Sequence, residues 1–227
     1  MDGKIRPKAK RGVFRGTLLT ENVLYAIMGK NKVSGGFSMA KYRAKMQHSQ
    51  STIYKLVQTQ YDTFQFHKKL IHIAIAMGLI LYGLYADQTM YTPMIALFIG
   101  CVMLANLNAY PKAQAKEVLK VMGNDYPKSD YVFGADSFTF NPEAEAVPYK
   151  KIIRLIEDRD YLYLYVSKQS AYMVDKSTVS GGNVNDLKTF LAIETLQKWS
   201  RPANIFNFRV GDIFRKSTDP YQGPRLK

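Results

Sequence analysis

Residues 70–110 read LIHIAIAMGLILYGLYADQTMYTPMIALFIGCVMLANLNAY, and this apolar stretch decides the architecture of the chain. Its polar interruption, DQTMYTP at residues 87–93, divides it into segments 70–86 and 94–110. Neither segment contains Lys, Arg, Asp or Glu, and each is at the short end of the length that a helix needs to cross a hydrocarbon core. Neither has the polar stripe of a helix on a soluble protein's surface. The stretch therefore predicts a transmembrane helical hairpin, and a pair of buried core helices is the alternative.

The residues that flank the two segments give the predicted hairpin an orientation. Lys68 and Lys69 precede the first segment, and Lys112 and Lys116 follow the second, whereas the connecting loop contains Asp87 and no base. Lys and Arg are retained on the cytoplasmic side of a membrane. We therefore expect a two-span protein of the cell membrane with both termini in the cytoplasm and an extracytoplasmic loop at residues 87–93.

Small residues recur at helical spacing inside both segments. Ala74 and Gly78 form one small-xxx-small pair, and Ala96 and Gly100 form another. Such pairs let membrane helices approach closely. Packing within the hairpin and dimerisation both remain open, so the sequence leaves a homo-oligomer open. A transport pathway is disfavoured, because no charged group lies in mid-membrane.

The positive charge of the chain is concentrated ahead of the apolar stretch. The net charge is +14, and residues 1–69 hold fourteen of the bases and only three acids. Residues 1–37 are predicted to form a basic arm, and residues 38–69 a cytoplasmic helix that leads into the membrane. Bases beside a membrane helix favour anionic lipids. Nucleic acid is the disfavoured partner, since no helix-turn-helix, zinc-finger or RNP motif is present. A topology signal without any binding role is the simplest alternative.

The chain after the hairpin alternates strand and turn patterns before a final helical pattern. We expect a connector at residues 111–129, a folded domain at residues 130–200 and a tail at residues 201–227. Residues 161–166, YLYLYV, alternate with the period of a strand. Residues 185–200 are predicted to form a helix that ends before Pro202. The pattern predicts a small α+β domain, with an antiparallel sheet or partial barrel closed by one helix.

A family resemblance appears in this C-terminal region. Residues 152–158 (IIRLIED), 161–165 (YLYLY) and 168–176 (KQSAYMVDK), together with the hairpin, resemble the bacterial YcxB-like family. The resemblance covers about residues 65–200 and implies a membrane hairpin followed by a pleckstrin-homology-like (PH-like) domain. Asp175 stands where that family commonly has Pro, and the long basic arm also departs from the pattern. The resemblance implies a fold and a topology rather than a reaction.

Two sets of residues are candidates for binding. Tyr161, Tyr163 and Tyr165 share one face of the predicted strand, with Leu162 and Leu164 on the other face. The tyrosines predict an aromatic platform for an unidentified protein partner, and a half-covered surface without a binding role is the alternative. The predicted contacts to lipid headgroups are lysines near the hairpin or on the folded domain: Lys68, Lys69, Lys112, Lys150, Lys151 and Lys168.

No pattern of catalytic residues is convincing. Glu157, Asp158 and Asp160 form an acidic turn without further ligands, and the three histidines have no Cys or carboxylate at metal-ligand spacing. Phosphate-binding and nucleophile motifs are absent from the sequence. We therefore expect a non-enzymatic, membrane-anchored protein without a cofactor that presents a PH-like domain to a protein or a lipid headgroup. The alternative is an accessory subunit of a larger membrane complex, such as an exporter or an envelope assembly, and an enzyme acting on lipid or peptide is disfavoured.

Overall fold

The computed structural model describes residues 41–86, 91–123, 125–141 and 144–204. The predictions for the basic arm, for Asp87 and for residues 205–227 of the tail lie outside these ranges. The elements, in chain order, are β1 (Tyr42–Gln47), α1 (Gln50–Phe64), α2 (Phe66–Tyr85), α3 (Tyr91–Ala105), α4 (Ala109–Met122), β2 (Lys128–Phe133), β3 (Ser137–Thr139), β4 (Val147–Pro148), β5 (Arg154–Glu157), β6 (Tyr161–Tyr165), β7 (Ala171–Asp175), α5 (Val184–Thr195) and β8 (Trp199–Ser200). Short 3-10 turns occupy Tyr149–Lys151 and Lys176–Thr178.

The strands form two four-stranded sheets, in the orders β1-β2-β3-β4 and β7-β6-β5-β8, and neither sheet closes into a barrel. Both are antiparallel except at β8, which pairs in parallel with β5. A backbone bridge between Arg43 and Ser180 connects the edge of the first sheet to the segment after β7. The predicted α+β class is confirmed for the described part of the chain.

The first strand, β1, corrects the prediction of a continuous helix over residues 38–69. Tyr42, Ala44 and Met46 are buried, and the residues between them are exposed. This is the period-two pattern of a strand with one face on a core, and the spacing of Tyr42 and Met46 fits both periods. The helix α1 begins only after Ser49, whose side chain accepts a hydrogen bond from the backbone N–H of Thr52 in a capping box.

The helices α1 and α4 pack against each other and against the sheets. The buried residues of α1 include Ile53 and Leu56, and those of α4 include Val118 and Met122; all four belong to the same hydrophobic core as the strands. The predicted connector at residues 111–129 is therefore mostly a core helix. The helices on both sides of the apolar stretch are parts of the sheet domain.

The apolar stretch forms α2 and α3. In the described residues, α2 is the one helix that is long and apolar enough to cross a membrane by itself, and α3 with α4 would make a second span only as a pair bent by 46°. The predicted loop at residues 87–93 is too long, because α3 begins at Tyr91. The predicted segment at residues 94–110 is not one helix, because α3 ends at Ala105 and α4 begins at Ala109. Pro111 lies in the first turn of α4, where the missing N–H is not needed.

Small residues bring α2 and α3 together. A Cβ atom at Gly100 would lie 2.8 Å from the carbonyl oxygen of Ala76, and one at Gly83 would lie 2.6 Å from the Cβ of Leu97. At Gly78 an added Cβ would meet no atom of the described residues within 4 Å. The pair Ala96 and Gly100 therefore packs inside the chain, whereas Ala74 and Gly78 face outward.

The helix α5 closes the sheets but is shorter than the predicted helix at residues 185–200. Leu187, Phe190 and Leu191 are buried. The helix ends at Thr195 because Leu196 adopts a left-handed conformation, with φ of 54°. Residues 199–200 then form β8, so a strand ends the predicted helical region.

Candidate functional site

The helices α1 and α4 meet where the sheet domain joins the apolar pair. The ring centroids of Tyr61 and Tyr110 are 5.5 Å apart, and the Gln58 amide donates a hydrogen bond of 3.4 Å to Asn108. Residue 61 is near the end of α1, and residue 110 is near the start of α4. The two helices therefore run in opposite directions, and α1 approaches the apolar pair while α4 leaves it.

A groove of about 500 Å³ lies between these two helices. Its lining, hereafter the α1–α4 groove, consists of Tyr54, Lys55 and Gln58 from α1 and of Pro111, Lys112 and Lys116 from α4. The volume is within the range of small-molecule sites, which is about 300–1,000 Å³. The lining contains three lysines and no carboxylate. The groove therefore offers an apolar floor with a basic rim.

The lysines of the α1–α4 groove are not equivalent. Lys55 Nζ lies 2.6 Å from a carboxylate oxygen of Asp160 and 3.6 Å from one of Asp158, so its charge is compensated. Lys112 and Lys116 are exposed and lie one helical turn apart on the same face of α4. Within the described ranges, no carboxylate lies within 4 Å of either ammonium group. The net positive charge of the groove is therefore on the α4 side.

The acidic turn between β5 and β6 has a structural role. Asp158 accepts hydrogen bonds from the backbone N–H groups of Asp160 and Tyr161, at 2.9 and 2.7 Å, and from the hydroxyl of Tyr163, at 2.8 Å. Burial is the largest cause of a strongly raised pKa of Tyr163, so that hydroxyl stays protonated and donates. Asp158 therefore shapes the turn and satisfies a buried hydroxyl.

The neighbouring acid, Glu157, is held by two lysines. Its carboxylate lies 2.7 Å from Lys188 Nζ and 3.5 Å from Lys176 Nζ. Burial raises the pKa of Glu157, but the hydrogen bonds and charges of Lys188 and Lys176 outweigh burial and lower it overall. The ammonium of Lys176 also donates to the carbonyl of Asp158, at 2.6 Å. Among the described residues, no group of three or more His, Cys, Asp or Glu side chains could hold a metal ion.

The prediction of an exposed tyrosine platform is wrong. Tyr163 and Tyr165 are fully buried, and Tyr161 is half-buried with the ammonium of Lys55 4.7 Å from its ring centroid. The alternation correctly separates the two faces of β6, but α1 covers the tyrosine face. Phe64 of α1, for example, packs edge-on against Tyr165 at a centroid distance of 5.0 Å. A helix from before the apolar stretch therefore occupies the surface that the platform would have used.

The predicted lipid-contacting lysines lie on separate elements. Lys69 is mostly covered and pairs with Asp62 at 3.2 Å. The other five are exposed: Lys68, Lys112, Lys150, Lys151 and Lys168. Of the predicted set, only Lys112 lines the α1–α4 groove. The four-residue spacing of Lys112 and Lys116 in the sequence indicates the basic side of the groove on α4. The residues that α1 contributes to the groove depend on the tertiary fold.

Comparison with known proteins supports the resemblance over part of the chain. Residues 135–191 match the family model for YcxB-like protein. The match covers the region from β3 to the buried face of α5, and it does not extend to β1, α1 or the apolar helices. The searches of curated proteins and of solved structures gave no match.

Proposed function

We propose that this chain is a non-enzymatic, membrane-anchored protein that presents a PH-like domain at the cytoplasmic face for protein or lipid-headgroup binding. One observation carries the proposal. The strand β1, before the apolar helices, pairs with β2, after them, with Tyr42 opposite Phe133. The chain therefore enters and leaves the apolar pair from the same folded unit. A two-span hairpin requires this if its polar domain lies on one side of the membrane.

The surface of α2 and α3 supports the membrane anchor. Large apolar side chains are more than half exposed along both helices, including Ile71, Leu84, Ile95 and Phe98. Monomeric soluble proteins rarely expose contiguous apolar patches beyond a few hundred Å². A hydrocarbon environment would cover these side chains without any protein partner.

The bend after α3 fits the second span of the proposed hairpin. The 15 residues of α3 span about 22 Å at 1.5 Å per residue, less than the hydrocarbon core of about 30 Å. The proposed span therefore includes the turn at residues 106–108 and the start of α4. The side chain of Asn106 donates to the carbonyl of Val102 at 2.9 Å, which satisfies polar groups beside the break.

The sheet order supports the PH-like assignment. The strands β1 to β4 form one antiparallel sheet, β5 to β7 form a second antiparallel meander, and α5 follows and covers the core. The two sheets and α5 support a PH-like arrangement, although neither sheet closes into a barrel and α1 and α4 also pack against the core. In the proposed arrangement the hairpin is an insertion between the first two strands of the domain.

Cysteine labelling in intact cells tests the topology. In a Cys101→Ser background, Gln88→Cys is expected to react with a membrane-impermeant maleimide added from outside. Lys150→Cys, on the exposed 3-10 turn of the domain, is the control and is expected to react only after permeabilisation. Labelling of position 88 only from the cytoplasmic side would refute the proposed orientation.

The second candidate function is an accessory subunit of a larger membrane complex. Ala74 and Gly78 on the outward face of α2 favour it, because a small-residue face allows another helix to approach closely. Size-exclusion chromatography with light scattering after mild solubilisation distinguishes the two candidates. A monomer without co-purifying chains would refute the subunit role and leave the anchor unaffected.

A further inference from the structure

We propose that the α1–α4 groove binds one anionic phospholipid of the bilayer, with its phosphate between Lys112 and Lys116 and its first methylenes over Tyr54 and Pro111. The inference rests on the proposed membrane anchor. It places the lipid contact of that anchor in the α1–α4 groove and names an anionic phospholipid as the ligand. It commits to a lipid rather than to a soluble anion or a peptide.

The position of the groove argues for a membrane lipid. The proposed second span begins at Tyr91, and at 1.5 Å per residue it reaches the hydrocarbon thickness of about 30 Å near residue 110. Along α4, Lys112 then lies about 3 Å and Lys116 about 9 Å beyond the end of that span. The headgroup region on each side of a hydrocarbon core is about 5–8 Å deep. The groove therefore opens at the level where lipid phosphates lie.

The charge distribution argues for an anion with an apolar tail. The uncompensated positive charge comes from Lys112 and Lys116, which are neighbours on one helical face. Lys55, at the other side, is already paired with Asp160 at 2.6 Å and adds no free charge. The floor between them includes the buried ring of Pro111 and the half-buried ring of Tyr54. A phosphate alone would leave this floor wet, whereas the glycerol and acyl carbons of a lipid would cover it.

The groove can accept such a group without rebuilding the protein. Its volume of about 500 Å³ is open between two helices that are fixed elsewhere by core residues such as Leu56 and Val118. Binding at a preformed site costs less conformational entropy than binding that must order a segment. A bound lipid would also contact α1 and α4 together, and thus connect the sheet domain to the membrane surface.

Native mass spectrometry of the full chain in a non-ionic detergent tests the site. The probes are dioleoyl phosphatidylglycerol, dioleoyl phosphatidylcholine and the headgroup fragment glycerol 3-phosphate. We expect saturable binding of one phosphatidylglycerol and no comparable binding of the other two. The double variant Lys112→Gln/Lys116→Gln is expected to lose about twenty-fivefold in affinity for phosphatidylglycerol, since each juxtamembrane base contributes about fivefold.

Two further variants distinguish binding at the α1–α4 groove from a general attraction of the anionic lipid to positive charge. Lys128→Gln/Lys198→Gln removes the same charge from exposed positions outside the groove and outside the predicted lipid contacts, and is expected to keep the wild-type affinity. Lys112→Arg/Lys116→Arg keeps the charge and is expected to bind phosphatidylglycerol to within a few-fold. Unchanged far-ultraviolet circular dichroism and melting temperature of all variants show that folding is intact.

Several outcomes would overturn the proposal: equal losses in the two Gln double variants, displacement of the lipid by glycerol 3-phosphate, or full affinity in Lys112→Gln/Lys116→Gln. The cysteine labelling at position 88 tests the proposed membrane anchor independently of the proposed lipid site. A correctly inserted chain that binds no phosphatidylglycerol refutes the groove alone. A chain that binds the lipid through Lys112 and Lys116 but fails the labelling refutes the proposed orientation alone.

Discussion

Tyr42 and Phe133 are directly opposite each other in the antiparallel ladder of β1 and β2, although the whole apolar helix pair separates them in the chain. Tyr42 also contacts Phe190 of α5, at a centroid distance of 5.5 Å. The first strand is therefore joined both to the sheet that follows the apolar pair and to the helix that covers the core. The apolar pair is an insertion in one folded unit rather than a divider between two.

The first prediction is that this unit folds without the apolar pair. Excision of residues 66–108 and insertion of a Gly/Ser linker of about six residues should give a soluble, folded protein. Such a linker spans about 13 Å, and the rings of Tyr61 and Tyr110 on the two sides of the cut are 5.5 Å apart. Circular dichroism and a cooperative thermal transition are the measurements.

A matched deletion sharpens that prediction. The same protein without residues 41–64 loses β1 and α1, which exposes the buried tyrosines of β6 and leaves β2 unpaired on the side that β1 occupied. We expect it to aggregate or to lack a cooperative transition. If this shorter protein folds as well as the longer one, β1 and α1 do not belong to the domain.

The sequence predicts elements well where one local pattern applies, and fails where tertiary contacts decide. The strict alternation of residues 161–165 correctly predicts β6 and its two faces. Residues 42–47 were misassigned because burial at Tyr42 and Met46 fits a helical period as well as a strand. The pairing with β2 resolves this ambiguity, and that pairing depends on residues on the far side of the apolar pair.

The candidate site shows the same division. The spacing of Lys112 and Lys116 is visible in the sequence, so a basic helix face after the apolar stretch could be predicted. The facing wall of Tyr54 and Gln58 could not, because it depends on the antiparallel packing of α1 and α4. The burial of Tyr165 under Phe64 has the same cause, since no local pattern indicates that α1 folds back over β6.

The second prediction concerns the contact between the apolar helices. Gly100→Ala should lower the melting temperature in detergent, because the new Cβ would lie 2.8 Å from the carbonyl oxygen of Ala76. Overpacking of this kind costs about 1–3 kcal/mol. Gly78→Ala is the control, since its added Cβ meets no described atom within 4 Å and the helix propensity of Ala is better by about 1 kcal/mol. Equal melting temperatures of the two variants would contradict the packing of α2 on α3.

The third prediction separates two neighbouring acids. Asp158→Ala removes the acceptor of two backbone N–H groups and of the buried Tyr163 hydroxyl, so it should cost about 2–3 kcal/mol in the free energy of unfolding. Asp160→Ala removes only an exposed pair with Lys55 and should have a much smaller effect. Chemical denaturation of both variants is the measurement. An effect of Asp160→Ala as large as that of Asp158→Ala would contradict the structural role of Asp158.

The fourth prediction is a pH dependence of stability that originates at His48. This residue is buried between β1 and α1, its backbone N–H donates to the carbonyl of Pro127 at 3.1 Å, and its Nδ1 has no hydrogen-bond partner among the described residues. Burial lowers the pKa of His48 from 6.5 to about 4. The unfolded chain therefore binds a proton below about pH 6.5, and the folded protein does so only near pH 4.

The free energy of unfolding should accordingly fall by about 3 kcal/mol as the pH decreases from 6.5 to 4, because of His48 alone. The effect of His48 should level off below pH 4. His48→Gln removes the titrating group. The free energy of unfolding of this variant should therefore depend less on pH than that of the wild type, whatever its value at pH 7. Chemical denaturation at pH 7 and pH 4.5 measures the difference for each protein. Parallel pH curves for the wild type and His48→Gln would show that the buried imidazole does not stay neutral over this range.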